Sequence, residues 1–150
     1  MKRAIMSVTI GGMETACRIH RELGGDLFAL DKYCQDNGQK PITGKLKDFM
    51  RGIFRDYREI VMVMSCGIAV RSIAPYLDSK MTDPAVVVLD EKGIFSISLL
   101  SGHIGGANEL AKRIALVTGG QAVITTASDN LGLESVDMFA KRYHLLMDDL

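Results

Sequence analysis

The hydrophobic residues of this chain fall into short continuous runs that alternate with stretches of helical spacing. Residues 4–10 are β-rich, and the apolar positions that follow recur every three or four residues as far as Leu23, which is typical of an amphipathic helix. The pattern predicts strands at residues 4–10, 26–30, 59–64, 85–89, 94–100 and 122–126, and helices at 11–23, 46–57, 68–77, 105–120 and 134–143. This alternation favours a three-layer α/β fold, with a mostly parallel sheet and helices on both of its faces.

One connection departs from that alternation. Asp90-Glu91-Lys92-Gly93 joins two β-rich runs directly, and Gly93 is available for positive φ, so we expect one antiparallel hairpin in the sheet. Residues 31–41 are polar and turn-rich, and residues 78–80 form a further turn. We expect an N-terminal α/β region at 1–80 and a central α/β region at 81–150 packed on it.

The composition limits the kinds of partner. Lys plus Arg equals Asp plus Glu at 18 each, so no overall positive field exists for a nucleic acid or an anionic membrane. The three cysteines form no C-x-x-C pair, and their odd number favours a reducing cytoplasm. No apolar stretch approaches the ~20 residues that cross a bilayer, and no metal-ligand motif is present. We therefore expect a cytoplasmic protein that binds no metal through its own side chains and holds an anionic ligand locally.

The first candidate site follows the strand at 59–64. Small residues lead from this strand into a helix, so backbone N–H groups at the helix start face the carboxyl end of the sheet. Cys66 and Gly67 lie in this turn, and Arg71 lies one helical turn later, suited to clamping a carboxylate. The alternative is that Cys66 is a buried small residue and Arg71 a surface charge.

The second candidate site follows the strand at 94–100. Its glycine and polar residues are Ser101, Gly102, His103, Gly105, Gly106, Asn108 and Glu109. The glycines let the backbone approach a ligand closely, and histidine is the residue type best suited to proton transfer near neutral pH. The G-x-x-G-G spacing differs from the dinucleotide fingerprint G-x-G-x-x-G, and the alternative is a purely structural turn.

A third polar group follows the strand at 122–126. It contains Thr125, Thr126 and Asp129, and helix capping is the alternative for this segment. Asp83 lies between a threonine and a proline and is either a site carboxylate or a turn former. If the strands are parallel, we expect all three groups to line one edge of the sheet, where open α/β folds bind ligands.

Three ordered blocks at characteristic separations carry a family resemblance. They are GIAVRSIAP at 67–75, TDPAVVV at 82–88 and SISLLSGHIGGANELA at 96–111, and the likeness extends from about residue 44 to residue 137. These blocks resemble the cobalamin biosynthesis protein G family. The resemblance implies a further C-terminal domain, which we expect to be absent from these 150 residues, and a small residue such as Ala or Thr where Cys66 stands.

The resemblance implies cobalt-precorrin-5A hydrolase activity in the anaerobic route to vitamin B12. This reaction opens a δ-lactone and releases acetaldehyde to give cobalt-precorrin-5B. Cobalt would enter as part of the substrate, with no separate cofactor, and the partner would be a corrinoid small molecule. A homo-oligomer and contacts with other corrin-pathway enzymes stay open.

Chemistry and resemblance together assign roles to the candidate residues. His103 would be the general base or acid, Glu109 or Asp83 would transfer further protons, and N–H groups around Gly105 and Gly106 would stabilise an oxyanion. The predicted substrate-binding residues are Cys66, Gly67, Arg71, Ser101, Gly102, Gly105, Gly106, Asn108, Thr125, Thr126 and Asp129.

Two other functions fit the same residues. One is a non-catalytic tetrapyrrole-binding module that works with a C-terminal domain or a partner. The other is a nucleotide-binding α/β domain that uses residues 102–106 for phosphate.

Overall fold

A computed structural model describes residues 2–34 and 38–127. Its strands are β1 (Arg3–Ser7), β2 (Asp26–Leu30), β3 (Lys40–Ile42), β4 (Glu59–Val63), β5 (Ala85–Leu89), β6 (Phe95–Leu100) and β7 (Gln121–Val123). Its α-helices are α1 (Ile10–Leu23), α2 (Leu46–Asp56), α3 (Cys66–Ile73) and α4 (Ala107–Thr118), with short 3-10 helices at Asp31–Tyr33 and Ala74–Tyr76.

The strands form one sheet in the order β3-β2-β1-β4-β5-β6-β7. Strands β5 and β6 pair antiparallel, and the other described neighbours pair parallel. Strands β4 and β5 are buried along their whole lengths, as expected for parallel strands covered on both faces. The mostly parallel sheet and the antiparallel hairpin are therefore confirmed.

Each face of the sheet carries its own hydrophobic core. On one face, Ile5 and Val61 of the sheet pack with Ile19 of α1 and Ile114 of α4. On the other face, side chains of β1, β4 and β5 pack with α2 and α3; the largest fully buried ones there include Met6, Met50, Ile60 and Met62. The three-layer arrangement is confirmed, and the apolar stripes of the helices account for it.

Several boundaries differ from the predicted ones for local reasons. The Thr9 hydroxyl accepts a hydrogen bond from the Gly12 N–H at 3.0 Å, so α1 begins at Ile10 and the first strand ends three residues earlier than predicted. Pro75 lies in a 3-10 turn after α3, which shortens that helix. Strand β7 ends at Val123, and the predicted helix at 134–143 lies outside the described residues.

Strand β3 was not predicted, because it lies at the end of the polar stretch 31–41. It pairs in parallel with β2, with Pro41 opposite Ala29. Proline is tolerated there because β3 is the outermost strand on one side of the described sheet, with β2 as its one described neighbour.

The antiparallel pairing reverses β6 and β7 relative to the strands before them. Val63 at the end of β4 pairs with Leu89 at the end of β5, whereas Leu100 at the end of β6 pairs with Val86 near the start of β5. The β4 edge, where β1, β2, β4 and β5 end, is thus opposite the β6 edge, where β6 and β7 end. The expectation that all three polar groups line one edge is wrong.

Candidate functional site

The first predicted group lies at the β4 edge, away from the other two. The Ser65 hydroxyl accepts a hydrogen bond from the Ile68 N–H at 3.3 Å and caps α3. Cys66, Gly67 and Arg71 are exposed around this helix start. A Cβ atom placed on Gly67 would lie 3.0 Å from Nη1 of Arg71, so the guanidinium lies over the first turn of its own helix.

The second and third groups come together at the β6 edge. They line a cavity of about 250 Å³ whose polar lining residues are Lys80, Ser98, Ser101, His103, Thr125 and Thr126. Leu99, Leu100 and Ile104 add apolar surface, and Gly102 completes the turn. The lining residues of the cavity thus include a lysine, a histidine and four residues with hydroxyl groups, which is the mixture expected of a ligand site.

A larger cavity, of about 400 Å³, lies between α1 and the 3-10 helix that follows β2. Its lining includes Cys17, Tyr33 and Cys34. It contains no histidine among its described lining residues, and no predicted site residue contributes to it. Volume and chemistry therefore point to different places, and the chemistry favours the smaller cavity at the β6 edge.

The turn between β6 and α4 has an unusual backbone. Ser101 has φ 61° and is the one described non-glycine residue with a positive φ. Gly106 has φ 89°. The Ser101 hydroxyl donates to the backbone carbonyl of Asp83 at 3.1 Å. A Cβ atom on Gly105 would lie 2.4 Å from Cβ of Ser101, so only glycine fits there. A strained residue held by its surroundings is common at functional turns and costs about 1–3 kcal/mol.

The N–H groups at the start of α4 are already hydrogen bonded within the turn. Those of Gly106, Ala107 and Asn108 donate to the carbonyl oxygens of His103 (3.2 Å), Ser101 (3.0 Å) and Gly102 (3.0 Å). In this conformation the Gly106 N–H is therefore engaged within the turn. The oxyanion role of the N–H groups around Gly105 and Gly106 stays a prediction.

Asn108 is buried and is hydrogen bonded to two side chains that line the cavity. Its Oδ1 accepts from the Ser98 hydroxyl at 2.6 Å, and its Nδ2 donates to Thr126 Oγ1 at 3.0 Å. Only 3% of the residue is exposed. Asn108 thus orients two hydroxyl side chains that line the cavity, although it is not itself a lining residue.

The two predicted carboxylates do not line the cavity. Asp83 is buried, and both of its carboxylate oxygens accept from the Asp78 N–H, at 3.2 and 3.1 Å. Glu109 is exposed on α4, with Oε1 3.3 Å from Nζ of Lys112. Asp129 lies outside the described residues. Of the residues predicted to transfer protons, His103 is the one that the fold brings to the cavity.

Lys80 was missed as a site residue. It lies in the polar turn at 78–80, which resembles an ordinary surface turn, and no motif marks it. It reaches the cavity because this turn precedes β5, whose first residues lie beside the end of β6. Only the pairing of β5 with β6 reveals this.

No described helix is both long and apolar enough to cross a membrane. Among residues 2–34 and 38–127, no three His, Cys, Asp or Glu side chains converge as a metal site would require.

Comparison with known proteins identifies the same segment. The family model described as cobalamin synthesis G N-terminal matches residues 48–129. This range includes all the described lining residues of the β6-edge cavity. Curated relatives named cobalt-precorrin-5A hydrolase come from Priestia megaterium, 39% identical over 93% of this chain, and from Salmonella typhimurium, 39% identical over 98%.

A solved structure supports the fold. The crystal structure of a cobalamin biosynthesis protein G homologue from Sulfolobus solfataricus has a TM-score of 0.62 at 24% identity. The match covers 93% of this chain and 39% of that one, and the matches to the two curated relatives cover 39% and 42% of their lengths. The chain thus spans about two fifths of the relatives it matches. Over that span, it belongs to the cobalamin synthesis G N-terminal family.

Proposed function

We propose that this chain acts in cobalamin biosynthesis, in the hydrolysis of cobalt-precorrin-5A, with the reaction at the β6-edge cavity. The names of two relatives at 39% identity support the substrate. The observation that carries the location is the meeting of His103 with Lys80 and the threonine hydroxyls in one cavity inside the family-matched segment.

The proposed reaction consumes one water and involves no net oxidation. The water oxygen bonds to the lactone carbonyl carbon, the ring C–O bond breaks, and the departing alkoxide takes up a proton. The resulting hydroxyl then loses its proton, the adjacent C–C bond breaks with its electron pair remaining on the macrocycle, and acetaldehyde leaves. The carbon left on the macrocycle then takes a proton. Each stage needs a group that can accept or donate a proton.

His103 is suited to these transfers because it is half-buried in the turn and lines the cavity. We propose that it removes a proton from the attacking water and returns one to the alkoxide. At about 250 Å³ the cavity lies just below the roughly 300–1,000 Å³ of small-molecule sites. We propose that it holds only the lactone-bearing edge of the substrate and that the rest of the macrocycle lies outside. Cobalt enters within the substrate in this proposal, and no further cofactor takes part.

The test is the replacement of His103 by Gln, which preserves much of its size and polarity. With cobalt-precorrin-5A as substrate, we expect kcat for acetaldehyde release to fall by roughly 10²–10⁴-fold, the usual contribution of general acid–base catalysis. His20→Gln is the matched control, because His20 lies on α1 and contacts the carbonyl of Gly25 away from the cavity.

Two results would contradict this proposal in different ways. Undiminished turnover by His103→Gln would remove the catalytic role of His103. Tight binding of cobalt-precorrin-5A by the unmodified chain without acetaldehyde release would instead favour a tetrapyrrole-binding module. Cytoplasmic location stays a prediction, and homo-oligomer formation stays open.

A further inference from the structure

We infer that Lys80 binds a peripheral carboxylate of the tetrapyrrole and that the buried carboxylate of Asp83 positions the loop that carries Lys80. This inference rests on the proposed function; it gives Lys80 a role that was not predicted and Asp83 a role that differs from the predicted one. The observations behind it are the lining of the cavity and the hydrogen bonds of residues 78–83.

Residues 78–83 form a loop that is closed from within. The N–H groups of Thr82 and Asp83 donate to the Ser79 carbonyl, at 3.1 and 2.8 Å, and the Met81 N–H donates to the Ser79 hydroxyl at 3.1 Å. The Asp83 carboxylate accepts from the Asp78 N–H and so joins the two ends of the loop. Lys80 lies at the centre of this closed segment.

The loop is also hydrogen bonded to the turn between β6 and α4. The Ser101 hydroxyl donates to the Asp83 carbonyl at 3.1 Å, and both residues are buried. His103 follows Ser101 by two residues, so one hydrogen bond joins the segment that carries the imidazole to the segment that carries the ammonium group. The relative placement of Lys80 and His103 therefore depends on Asp83 through both its carboxylate and its carbonyl.

The chemistry of the cavity suggests what Lys80 binds. Lys80 is half-buried, and among the described lining residues of the cavity it is the one with a permanent positive charge. The proposed substrate carries acetate and propionate carboxylates around its ring. A lysine ammonium on a flexible stem accommodates a carboxylate without the strict planar geometry that arginine requires. We therefore assign Lys80 to substrate binding and Asp83 to positioning.

The first test replaces Lys80 by Met, which keeps the apolar stem and removes the charge. Loss of a charge-assisted hydrogen bond predicts a rise in KM for cobalt-precorrin-5A of roughly tenfold or more, with kcat changed much less. Lys80→Arg should recover most of the affinity. The matched control is Lys92→Met, since Lys92 lines a different cavity at the β4 edge with Gly11 and Glu91.

The second test separates positioning from proton transfer at Asp83. Asp83→Asn keeps an oxygen that can accept from the Asp78 N–H but cannot act as a general base at neutral pH, whereas Asp83→Ala removes the acceptor. We expect Asn to retain most of kcat, and Ala to raise KM as Lys80→Met does. In the Asp83→Ala, Lys80→Met double variant, KM should be close to that of either single variant, because both changes remove the same contact.

The outcomes distinguish failure of this inference from failure of the proposed function. Absence of both binding and turnover of cobalt-precorrin-5A in the unmodified chain would contradict the proposed function. Normal turnover with an unchanged KM in Lys80→Met would overturn the inference alone. A large loss of kcat in Asp83→Asn with unchanged thermal stability would return Asp83 to the proton-transfer role. Because Lys80 is half-buried on a loop, its replacement is informative even if Asp83→Ala does not fold.

Discussion

Tyr57 and Asp26 form a short side-chain hydrogen bond beside the β1–β2 pair. The Tyr57 hydroxyl donates to Asp26 Oδ2 at 2.5 Å, and this contact, with help from Lys40, holds the pKa of Asp26 below its ordinary value. Burial, together with the same hydrogen bond, raises the pKa of Tyr57 to about 12. Both shifts favour the pairing of a neutral phenol with a charged carboxylate near neutral pH.

This pair predicts a defined pH dependence of stability. The Asp26 contribution is present above the ordinary carboxyl pKa of 3.8 and is lost as the pH falls through the lowered folded value. The Tyr57 contribution is present below pH 10 and is lost as the pH rises towards 12. We expect Tyr57→Phe to lower the free energy of unfolding by about 1 kcal/mol at pH 7, because Asp26 is partly exposed, and to weaken both pH dependences.

Urea unfolding from pH 2.5 to pH 8 measures the acid side of this prediction. Tyr76→Phe is the control, because the Tyr76 hydroxyl donates to the backbone carbonyl of Lys47 at 2.5 Å, which does not titrate. A stability difference between Tyr57→Phe and the unmodified chain that stays constant down to pH 2.5 would contradict the assigned role of Asp26.

At the scale of secondary-structure elements, the β6–α4 turn requires a glycine at position 105. A Cβ atom on Gly105 would meet Ser101 Cβ at 2.4 Å and the Ser101 carbonyl oxygen at 2.8 Å. Because Ser101 is buried and hydrogen bonded to both Asp83 and Ala107, it has little freedom to move away. The shape of the turn that carries His103 therefore depends on the absence of a side chain at 105.

We expect Gly105→Ala to lower the free energy of unfolding by about 1–3 kcal/mol, the typical cost of overpacking. Gly52→Ala is the matched control in the interior of α2, where the new methyl group would meet only Arg55 Nη2 at 3.9 Å. That change should stabilise the chain by about 0.5–1 kcal/mol because alanine favours the helix. Equal effects of the two changes in thermal or urea unfolding would show that the turn can relax.

Elements with strong local patterns were the ones predicted most accurately. The run Glu59–Val63 is buried on both faces as its continuous apolar character indicates, and the turn-forming residues 90–93 join β5 and β6 as expected. Strand β3 escaped prediction because three residues with a polar start carry too little periodicity. It exists as a strand because β2 offers an edge to pair with.

Across the whole molecule, the predicted regions 1–80 and 81–150 meet inside one sheet. Strands β4 and β5 pair along their full lengths, from Glu59 opposite Ala85 to Val63 opposite Leu89. One hydrophobic core also combines α1 from the first region with α4 from the second. Separating the regions would expose the buried sides of both strands.

This continuity predicts that the two regions unfold together. Hydrogen exchange of the most protected amides in β1 and in β5 should report the same free energy of unfolding, with the same dependence on urea. Lower protection and a smaller urea dependence for the whole of residues 85–123 would show that the second region opens independently.

Local interactions made the fold class and one candidate site residue predictable from the sequence alone. Hydrophobic period, turn residues and caps act over a few neighbouring positions, so they identified the α/β class, the hairpin and His103 as a candidate. The direction of β6 relative to β4 depends on pairing between distant segments. That pairing places Cys66, Gly67 and Arg71 at the edge opposite His103, and it places Lys80 and His103 in the lining of one cavity. Only the tertiary structure could decide this, because which loops share an edge depends on the strand order and direction of the whole sheet.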